Sequence, residues 1–314
     1  MADLLCGEFD SLRKLFRDGL KDSKEYDFNN GIFNKYCPNG KCDADTDIVN
    51  AGCLWLFNAF FGKTGTSNYE DRYKDVIVCI MIWLCYKLSL KTFHNITTLN
   101  DFYSNHIENN TKYTNSEVND EKFKSYKEII DEIKGYMDIN ISHMSKFDEL
   151  LKLLCNMNSA YTSKNSSKCS EHANNFVNKY NELLNDDNNN DGSSYSKVLL
   201  VLSNYYNNFE KNRIFHYITI NLPSLPTKKT AENIGISDSK ESQAVSSIET
   251  AESNSETKVS NFDSTSPSSS ISNKLISIPF ILIATLILLG IAYKYSLFGL
   301  RKRSQKHLRE KIKK

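Results

Sequence analysis

The sequence predicts an all-α protein with a helical-bundle ectodomain, a disordered stalk, a single C-terminal transmembrane helix and a short basic tail. Apolar residues recur every three or four positions through most of residues 1–222. Residues 223–273 are dominated by Ser, Thr, Glu, Lys and Asn, and residues 275–293 carry no charge. We therefore assign 1–222 to the ectodomain, 223–273 to the stalk, 274–293 to the transmembrane helix and 294–314 to the tail.

Amphipathic helices are predicted for most of the ectodomain. Five stretches place apolar residues on one face and charged residues on the other, which is typical of helices packed in a bundle. The five apolar stripes consist of Phe9, Leu12, Phe16 and Leu20; Phe123, Tyr126, Ile130, Ile133 and Met137; Met144, Phe147, Leu151 and Leu154; His172, Phe176, Tyr180 and Leu183; and Tyr195, Val198, Leu202, Tyr205 and Phe209.

Two further segments, 51–61 and 76–86, are apolar on all sides. Both are shorter than the roughly eighteen residues that a membrane span needs, so they are predicted to be the central helices of the bundle. Cys79 and Cys85 lie in the second segment and are expected to be buried free thiols. Residues 214–222 alternate between polar and apolar and are predicted to be extended, without an obvious strand partner.

The stalk prediction rests on composition. Residues 223–273 contain almost no large apolar side chains, so they cannot bury enough surface to fold. A flexible chain of this length spans roughly 40 Å on average. The segment is therefore expected to hold the ectodomain away from the membrane.

The predicted transmembrane helix begins at Leu275 and ends at Tyr293. Its nineteen uncharged residues would form a helix of about 28 Å, close to the hydrocarbon thickness of a bilayer. Twelve of them are Leu, Ile or Phe, which favours insertion by roughly 4–7 kcal/mol. The lipid bilayer is therefore a predicted partner.

The charges on either side of this helix predict its orientation. The tail holds nine Lys or Arg and one acid, and positive residues stay on the cytosolic side during insertion. We expect a cytosolic C-terminus and an ectodomain that is lumenal or extracellular. The first residues lack the apolar core of a signal peptide, so the span is expected to serve as its own insertion signal. Arg301, Lys302 and Arg303 are candidates for contact with lipid head groups.

Eight cysteines occur, all before the span. An even count on the proposed outside is typical of a disulfide framework. Cys37 and Cys42 are the best local pair, because Pro38 and the Asn39-Gly40 dipeptide favour a turn that brings them together. A zinc site is the alternative, but it would need a second Cys or His pair at short spacing, which the sequence lacks.

The sequence contains only incomplete matches to enzyme motifs. Gly62-Lys63-Thr64 resembles the end of a phosphate-binding loop, but Phe57 stands where that loop needs glycine. The six His are scattered, without a pair at i, i+4. Outside the tail acids outnumber bases, so nothing there favours nucleic-acid binding. We expect no catalytic residue, metal, cofactor or nucleic-acid partner.

Four segments carry a resemblance to a known family. They are Tyr36-Cys37-Pro38, CDADTDIVNAGCLWLFNAFFG at 42–62, IVCIMIWLCYKLSLK at 77–91, and YKYSLFGLRKR at 293–303. In their order and spacing these segments resemble the Plasmodium interspersed repeat (PIR) proteins of rodent malaria parasites. The resemblance covers nearly the whole chain.

The resemblance implies a helical, cysteine-containing ectodomain, a variable stalk, one C-terminal span and a basic tail. The family's cysteine pattern maps onto Cys37, Cys42 and Cys53, which adds Cys53 to the candidates for disulfide bonding. No catalytic residue comes with the family. Export into or onto the infected red cell is implied as well.

The function implied by the resemblance is that of a variant surface antigen of infected red cells, acting in immune evasion or in adhesion to host cells. Its partner would be a host protein or cell-surface ligand that the sequence does not identify. The alternative is a scaffold that is not displayed and works in parasite-derived or vacuolar membranes. Both roles require the same span and orientation, so the sequence leaves both open.

Overall fold

The computed structural model of the chain describes residues 2–66, 72–211, 213 and 216–229. The α-helices are α1 (Ala2–Leu15), α2 (Asn30–Phe33), α3 (Asp45–Phe61), α4 (Tyr73–Ser89), α5 (Leu99–Phe102), α6 (Thr111–Thr114), α7 (Tyr126–Asp131), α8 (Ile141–Ser145), α9 (Asp148–Thr162), α10 (Ser166–Leu184) and α11 (Ser194–Asn207). Short 3-10 helices lie at Asn34–Tyr36, Pro38–Gly40 and Lys134–Tyr136, and a π-helical turn lies at Tyr103–Ile107. Strands β1 (Phe16–Leu20) and β2 (Tyr26–Phe28) form an antiparallel hairpin. The helix-rich fold predicted from the sequence is confirmed for these residues.

Helices α3 and α4 form the centre of the core. Every residue of α4 from Ile77 to Cys85 is fully buried, because this segment presents apolar side chains in all directions. The two helices approach closely at Gly52, where an added Cβ would lie 2.4 Å from Cη2 of Trp83. Only glycine fits this contact without rearrangement. The prediction that 51–61 and 76–86 are central helices is confirmed.

Within the described residues, no helix is both long and apolar enough to cross a membrane. Helices α3 and α4 have 17 residues each. The predicted transmembrane helix at 275–293 lies outside the described residues, as do the basic tail and most of the predicted stalk.

Helices α1, α9, α10 and α11 cover this centre with their apolar faces. Asn165 caps α10 by accepting a hydrogen bond from the backbone N–H of Lys168 at 3.0 Å, and Ser193 caps α11 through the N–H of Ser196 at 3.1 Å. Most of the predicted stripe residues on three of these helices are buried: Phe9 and Leu12 on α1; Phe176, Tyr180 and Leu183 on α10; and Tyr195, Val198, Leu202 and Tyr205 on α11.

The first predicted helix is too long, because the chain forms β1 after α1 ends. Phe16 pairs with Phe28 and Leu20 pairs with Tyr26, with an irregularity between the two pairs. The buried Phe16 ring lies edge-on to Tyr26 and to Trp83, at centroid distances of 5.6 and 5.5 Å. This aromatic packing outweighs the helical spacing of the apolar residues.

Two other predicted helices are interrupted. In 123–137 the regular helix is limited to α7, which begins where the Ser125 hydroxyl accepts from the N–H of Glu128 at 3.3 Å. In 144–154 the chain leaves α8 after Ser145 and begins α9 at Asp148. Side-chain caps and short turns divide these segments, although the apolar periodicity continues through them.

Residues 216–229 form no helix or strand, and we call them the C-terminal strap. Their apolar side chains pack against the core: Ile218, Ile220, Leu222 and Leu225. The Tyr206 hydroxyl donates to the carbonyl oxygen of Pro223 at 2.8 Å, and the Lys229 ammonium donates to that of Asp186 at 3.1 Å. Contacts with the helical core therefore continue past residue 222, at least to Lys229.

Arg213 joins this end of the fold to α1 and α9. Its side chain is 2% exposed and lies 2.8 Å from the Asp3 carboxylate. It also donates to the side-chain oxygen of Asn158 at 2.9 Å and to the carbonyl oxygen of Phe209 at 2.8 Å. The guanidinium carbon lies 4.2 Å from the Tyr161 ring centroid. One side chain thus connects three elements that are distant in sequence.

Replacing Arg213 is expected to destabilise the fold strongly. Arg213→Ala leaves the buried oxygen of Asn158 without its donor and opens a gap between aromatic rings, so the free energy of unfolding should fall by about 2–3 kcal/mol. Denaturant titration measures this change. Lys211→Ala, at an exposed position nearby, is the matched control and should change stability by less than about 0.5 kcal/mol. Equal effects of the two substitutions would refute the assigned role of Arg213.

Candidate functional site

Cys37 and Cys42 form a disulfide that closes a six-residue loop. Their Cα atoms are 4.9 Å apart. The loop contains the short 3-10 helix Pro38–Gly40, in which Asn39 and Gly40 have positive φ values of 49° and 76°. Glycine and asparagine tolerate this left-handed conformation best. The sequence therefore specifies the turn that brings the two cysteines together, and we call this segment the disulfide loop (37–42).

A second disulfide, between Cys6 and Cys155, connects α1 to α9. The two residues are 149 positions apart in sequence, and their Cα atoms are 5.0 Å apart. Both are buried. The sequence analysis did not identify this pair, because only the folded chain brings the two helices together.

Cys53 does not form the disulfide that the family's cysteine pattern suggested. It lies in the middle of α3 as a fully buried free thiol, and burial raises its pKa to about 12. Cys79, Cys85 and Cys169 are also buried free cysteines. Burial raises the pKa of each of these thiols as well. These four cysteines are thus poor nucleophiles and act as small apolar side chains.

The Lys87 side chain attaches the β-hairpin to the core. It has no exposed surface. Its ammonium donates to the carbonyl oxygens of Arg17 and Asp18 in β1, the latter at 2.9 Å, and lies 4.2 Å from the Phe16 ring centroid. The Tyr26 hydroxyl in β2 donates to the Lys87 carbonyl oxygen at 2.7 Å. One residue of α4 therefore holds both strands.

A cluster of charges surrounds this amine. Burial lowers the pKa of Lys87 to about 7, against the opposing effect of the Asp18 and Asp148 carboxylates. Lys152 lies 3.4 Å from the Asp18 carboxylate and 2.7 Å from that of Asp148. Burial raises the pKa of Asp148. Because the Lys87 side chain is fully buried and bonded to β1, this amine holds the β-hairpin against α4.

Among the cavities at the surface of the described residues, two bear on the site. One, of about 340 Å³, lies beside the disulfide loop and is lined by Tyr36, Pro38, Asn39, Asn50, Asn110, Thr111 and Lys112. The other, of about 430 Å³, is more open and is lined by Lys63, Ser116, Glu117, Val118, Asp120, Glu121, Phe123 and Lys124. Within the described residues, no group of His, Cys, Asp and Glu is arranged to hold a metal ion.

The sequence-predicted membrane residues lie outside the described part of the chain. They are the ends of the span, Leu275 and Tyr293, and the candidate head-group contacts Arg301, Lys302 and Arg303. They stay predictions.

Comparison with known proteins identifies the family. A family model described as Plasmodium variant antigen protein Cir/Yir/Bir matches residues 6–294. The chain belongs to this family. It is also similar to a solved Plasmodium PIR protein ectodomain, with 32% sequence identity and a TM-score of 0.54; the match covers 73% of this chain and 100% of that ectodomain. No curated protein matches the chain.

The resemblance to PIR proteins found in the sequence is thus confirmed. The family is one of variant antigens, and its description names no enzymatic activity. In this PIR protein, the described residues form a disulfide-stabilised helical unit, which we call the head, and its surface includes the two cavities described above. The two disulfides and the charge cluster around Lys87 hold the described elements together.

Removal of the disulfides should reveal their unequal contributions. Loop-closure entropy predicts that Cys6→Ala with Cys155→Ala lowers the free energy of unfolding by about 5 kcal/mol, because a long loop is released. Cys37→Ala with Cys42→Ala releases a short loop and should cost about 2 kcal/mol. Denaturant unfolding of both double variants under oxidising conditions measures the difference. A larger loss of stability after removal of the Cys37–Cys42 bond would contradict the larger contribution assigned to the Cys6–Cys155 bond.

The buried amine should make stability depend on pH. The pKa of Lys87 is lowered on folding, so the unfolded chain binds more protons between pH 7 and about 10.5. Stability relative to the Lys87→Met variant should therefore rise with pH across this window, by up to about 1.4 kcal/mol per pH unit. Thermal or denaturant unfolding at several pH values gives the slope.

Lys197→Met, at an exposed position on α11, is the control for this experiment and should show no such slope. If the difference in free energy of unfolding between the wild type and Lys87→Met does not change with pH over the same window, the amine is not buried and desolvated as described.

Proposed function

We propose that this PIR protein is a variant surface antigen of infected red cells. The span at 275–293 anchors it, the helical head faces host plasma or host cells, and the tail lies in the cytosol. In this position it acts in immune evasion, in adhesion to host cells, or in both. The lipid bilayer and a host ligand are its partners.

The Cys6–Cys155 disulfide is the observation that carries this proposal. Disulfides form in oxidising compartments and are rare in the cytosol. A link across 149 residues closes only after α1 and α9 have met, so the head folds where oxidation is available. The charge asymmetry around the span supports the same side for the head, since the basic tail favours the cytosol.

The family supports display over an internal role. Members of a variant antigen family gain from sequence variation only where host antibodies or receptors reach them. The alternative, a scaffold in internal parasite-derived or vacuolar membranes, requires the same span and an equally oxidised lumen. Accessibility from outside the infected cell therefore separates the two.

The tail completes the proposed arrangement. Arg301, Lys302 and Arg303 follow the span within ten residues. Near an anionic membrane surface each contributes roughly 1 kcal/mol of attraction. This attraction would keep the tail at the cytosolic leaflet and oppose inversion of the anchor.

Surface proteolysis of intact infected cells tests display. The segment between head and span contains Lys240 and Lys258, so trypsin added outside should separate the head from the anchor. A tail antibody should then detect a short membrane-bound fragment in place of the full-length protein. Permeabilised cells provide the control that the sites are cleavable. Full-length protein that survives on intact cells and is cut only after permeabilisation would overturn display and favour the internal scaffold.

A further inference from the structure

The cavity beside the disulfide loop is built from three separate parts of the chain, and we call it the loop cavity. Tyr36, Pro38 and Asn39 come from the disulfide loop and the residue before it. Asn50 comes from α3, and the remaining side, Asn110, Thr111 and Lys112, comes from α6 and its N-cap. Its volume of about 340 Å³ lies at the lower end of the range for ligand pockets. The Cys37–Cys42 bond fixes one wall before any ligand arrives.

Asn50 contributes its side-chain amide to the wall of this cavity. The residue is only 5% exposed, and its side-chain oxygen accepts the Tyr113 hydroxyl at 2.7 Å. Among the described residues, none accepts a hydrogen bond from the amide nitrogen of Asn50. The amide nitrogen is not among the fully buried polar atoms that lack a partner, so it is accessible from the cavity. Its presence in a cavity wall indicates a place for an acceptor atom of a ligand.

Lys112 supplies positive charge to the rim. Its ammonium donates to the Lys35 carbonyl oxygen at 2.9 Å, which leaves further N–H groups for another acceptor. The lining contains no Asp or Glu. Both Asn50 and Lys112 therefore favour an acceptor-rich anion, and a carboxylate is the group that pairs with an ammonium in a charge-assisted hydrogen bond.

The other lining side chains suit hydroxyl groups. The Asn39 amide and the Thr111 hydroxyl both donate and accept hydrogen bonds, as sugar hydroxyls do. The Pro38 ring provides an apolar surface at the same edge. A ligand that only carried a carboxylate would leave these groups unused.

We propose that the loop cavity binds one acidic sugar unit, a pyranose-sized ring with a carboxylate. The carboxylate pairs with Lys112, a ring substituent accepts from the amide nitrogen of Asn50, and neighbouring hydroxyls contact Asn39 and Thr111. This inference goes beyond display of the head. A failure to bind the sugar would leave the proteolysis result unchanged, so each proposal can be refuted without the other.

Ligand-detected NMR on the full-length protein in detergent micelles tests the proposal, with glucuronic acid as the probe. Glucose keeps the ring and hydroxyls without the charge, and acetate keeps the carboxylate without the ring. Glucuronic acid should bind at least about tenfold more tightly than either, because each lacks one set of contacts. Equal binding of glucose, equal binding of acetate, or no binding of glucuronic acid would each overturn the proposal.

Two substitutions assign the binding to this cavity. Lys112→Gln should weaken glucuronic acid binding at least about tenfold, whereas Lys63→Gln, which removes an exposed lysine from the other cavity, should leave it unchanged. Asn50→Ala should also weaken binding, and a cooperative unfolding transition verifies that this variant is folded. Equal effects of Lys112→Gln and Lys63→Gln would overturn the assignment. Because Lys112 is at the surface, its variant keeps the test valid if Asn50→Ala does not fold.

Discussion

Helices α1 and α9 meet in the folded protein although 149 residues separate their linked cysteines. The Cys6–Cys155 bond fixes this contact covalently. Three residues before Cys6 on α1 and three residues after Cys155 on α9, Arg213 bridges Asp3 and Asn158. The covalent and the ionic link lie one helical turn apart because residues at i and i+3 share a helix face. The N-terminal helix, the α9 layer and the C-terminal end of the head therefore depend on a single junction.

The core that this junction closes is almost entirely apolar. Gly52 and Trp83 bring α3 and α4 together. Lys87 is one of the few buried polar or charged residues, and its ammonium is compensated by backbone carbonyl oxygens and by the ring of Phe16. An amine in this position costs desolvation, but it fixes the β-hairpin to one place on α4. The disulfide loop and α6 adjoin this core, to which they contribute Cys37 and Tyr113, whereas Pro38, Asn39 and Thr111 are exposed at the surface.

Much of the helical architecture could be predicted from the sequence, because periodic stripes and wholly apolar segments report burial directly. The turn at Asn39-Gly40 also pointed to its disulfide by local geometry. Three features depended on contacts between distant residues: the β-hairpin, which Phe16 stabilises through Trp83; the Cys6–Cys155 bond; and the Lys87 cluster. The family's cysteine pattern misled at Cys53, which is a buried free thiol in the middle of α3. The available amide nitrogen of Asn50 could not be recognised from the sequence, because the hydrogen bond from the Tyr113 hydroxyl to the Asn50 oxygen forms only in the folded chain.

The proposed function requires that the disulfide-closed helical head folds in an oxidising compartment on the side of the membrane opposite the basic tail. Differential alkylation of the protein from infected cells tests it most directly: free thiols are trapped under denaturing conditions, disulfides are reduced and labelled with a second reagent, and each cysteine is read by mass spectrometry. We expect the second label on Cys6, Cys37, Cys42 and Cys155, and the first label on Cys53, Cys79, Cys85 and Cys169. The first label on Cys6 and Cys155 would contradict both the closed junction and the compartment.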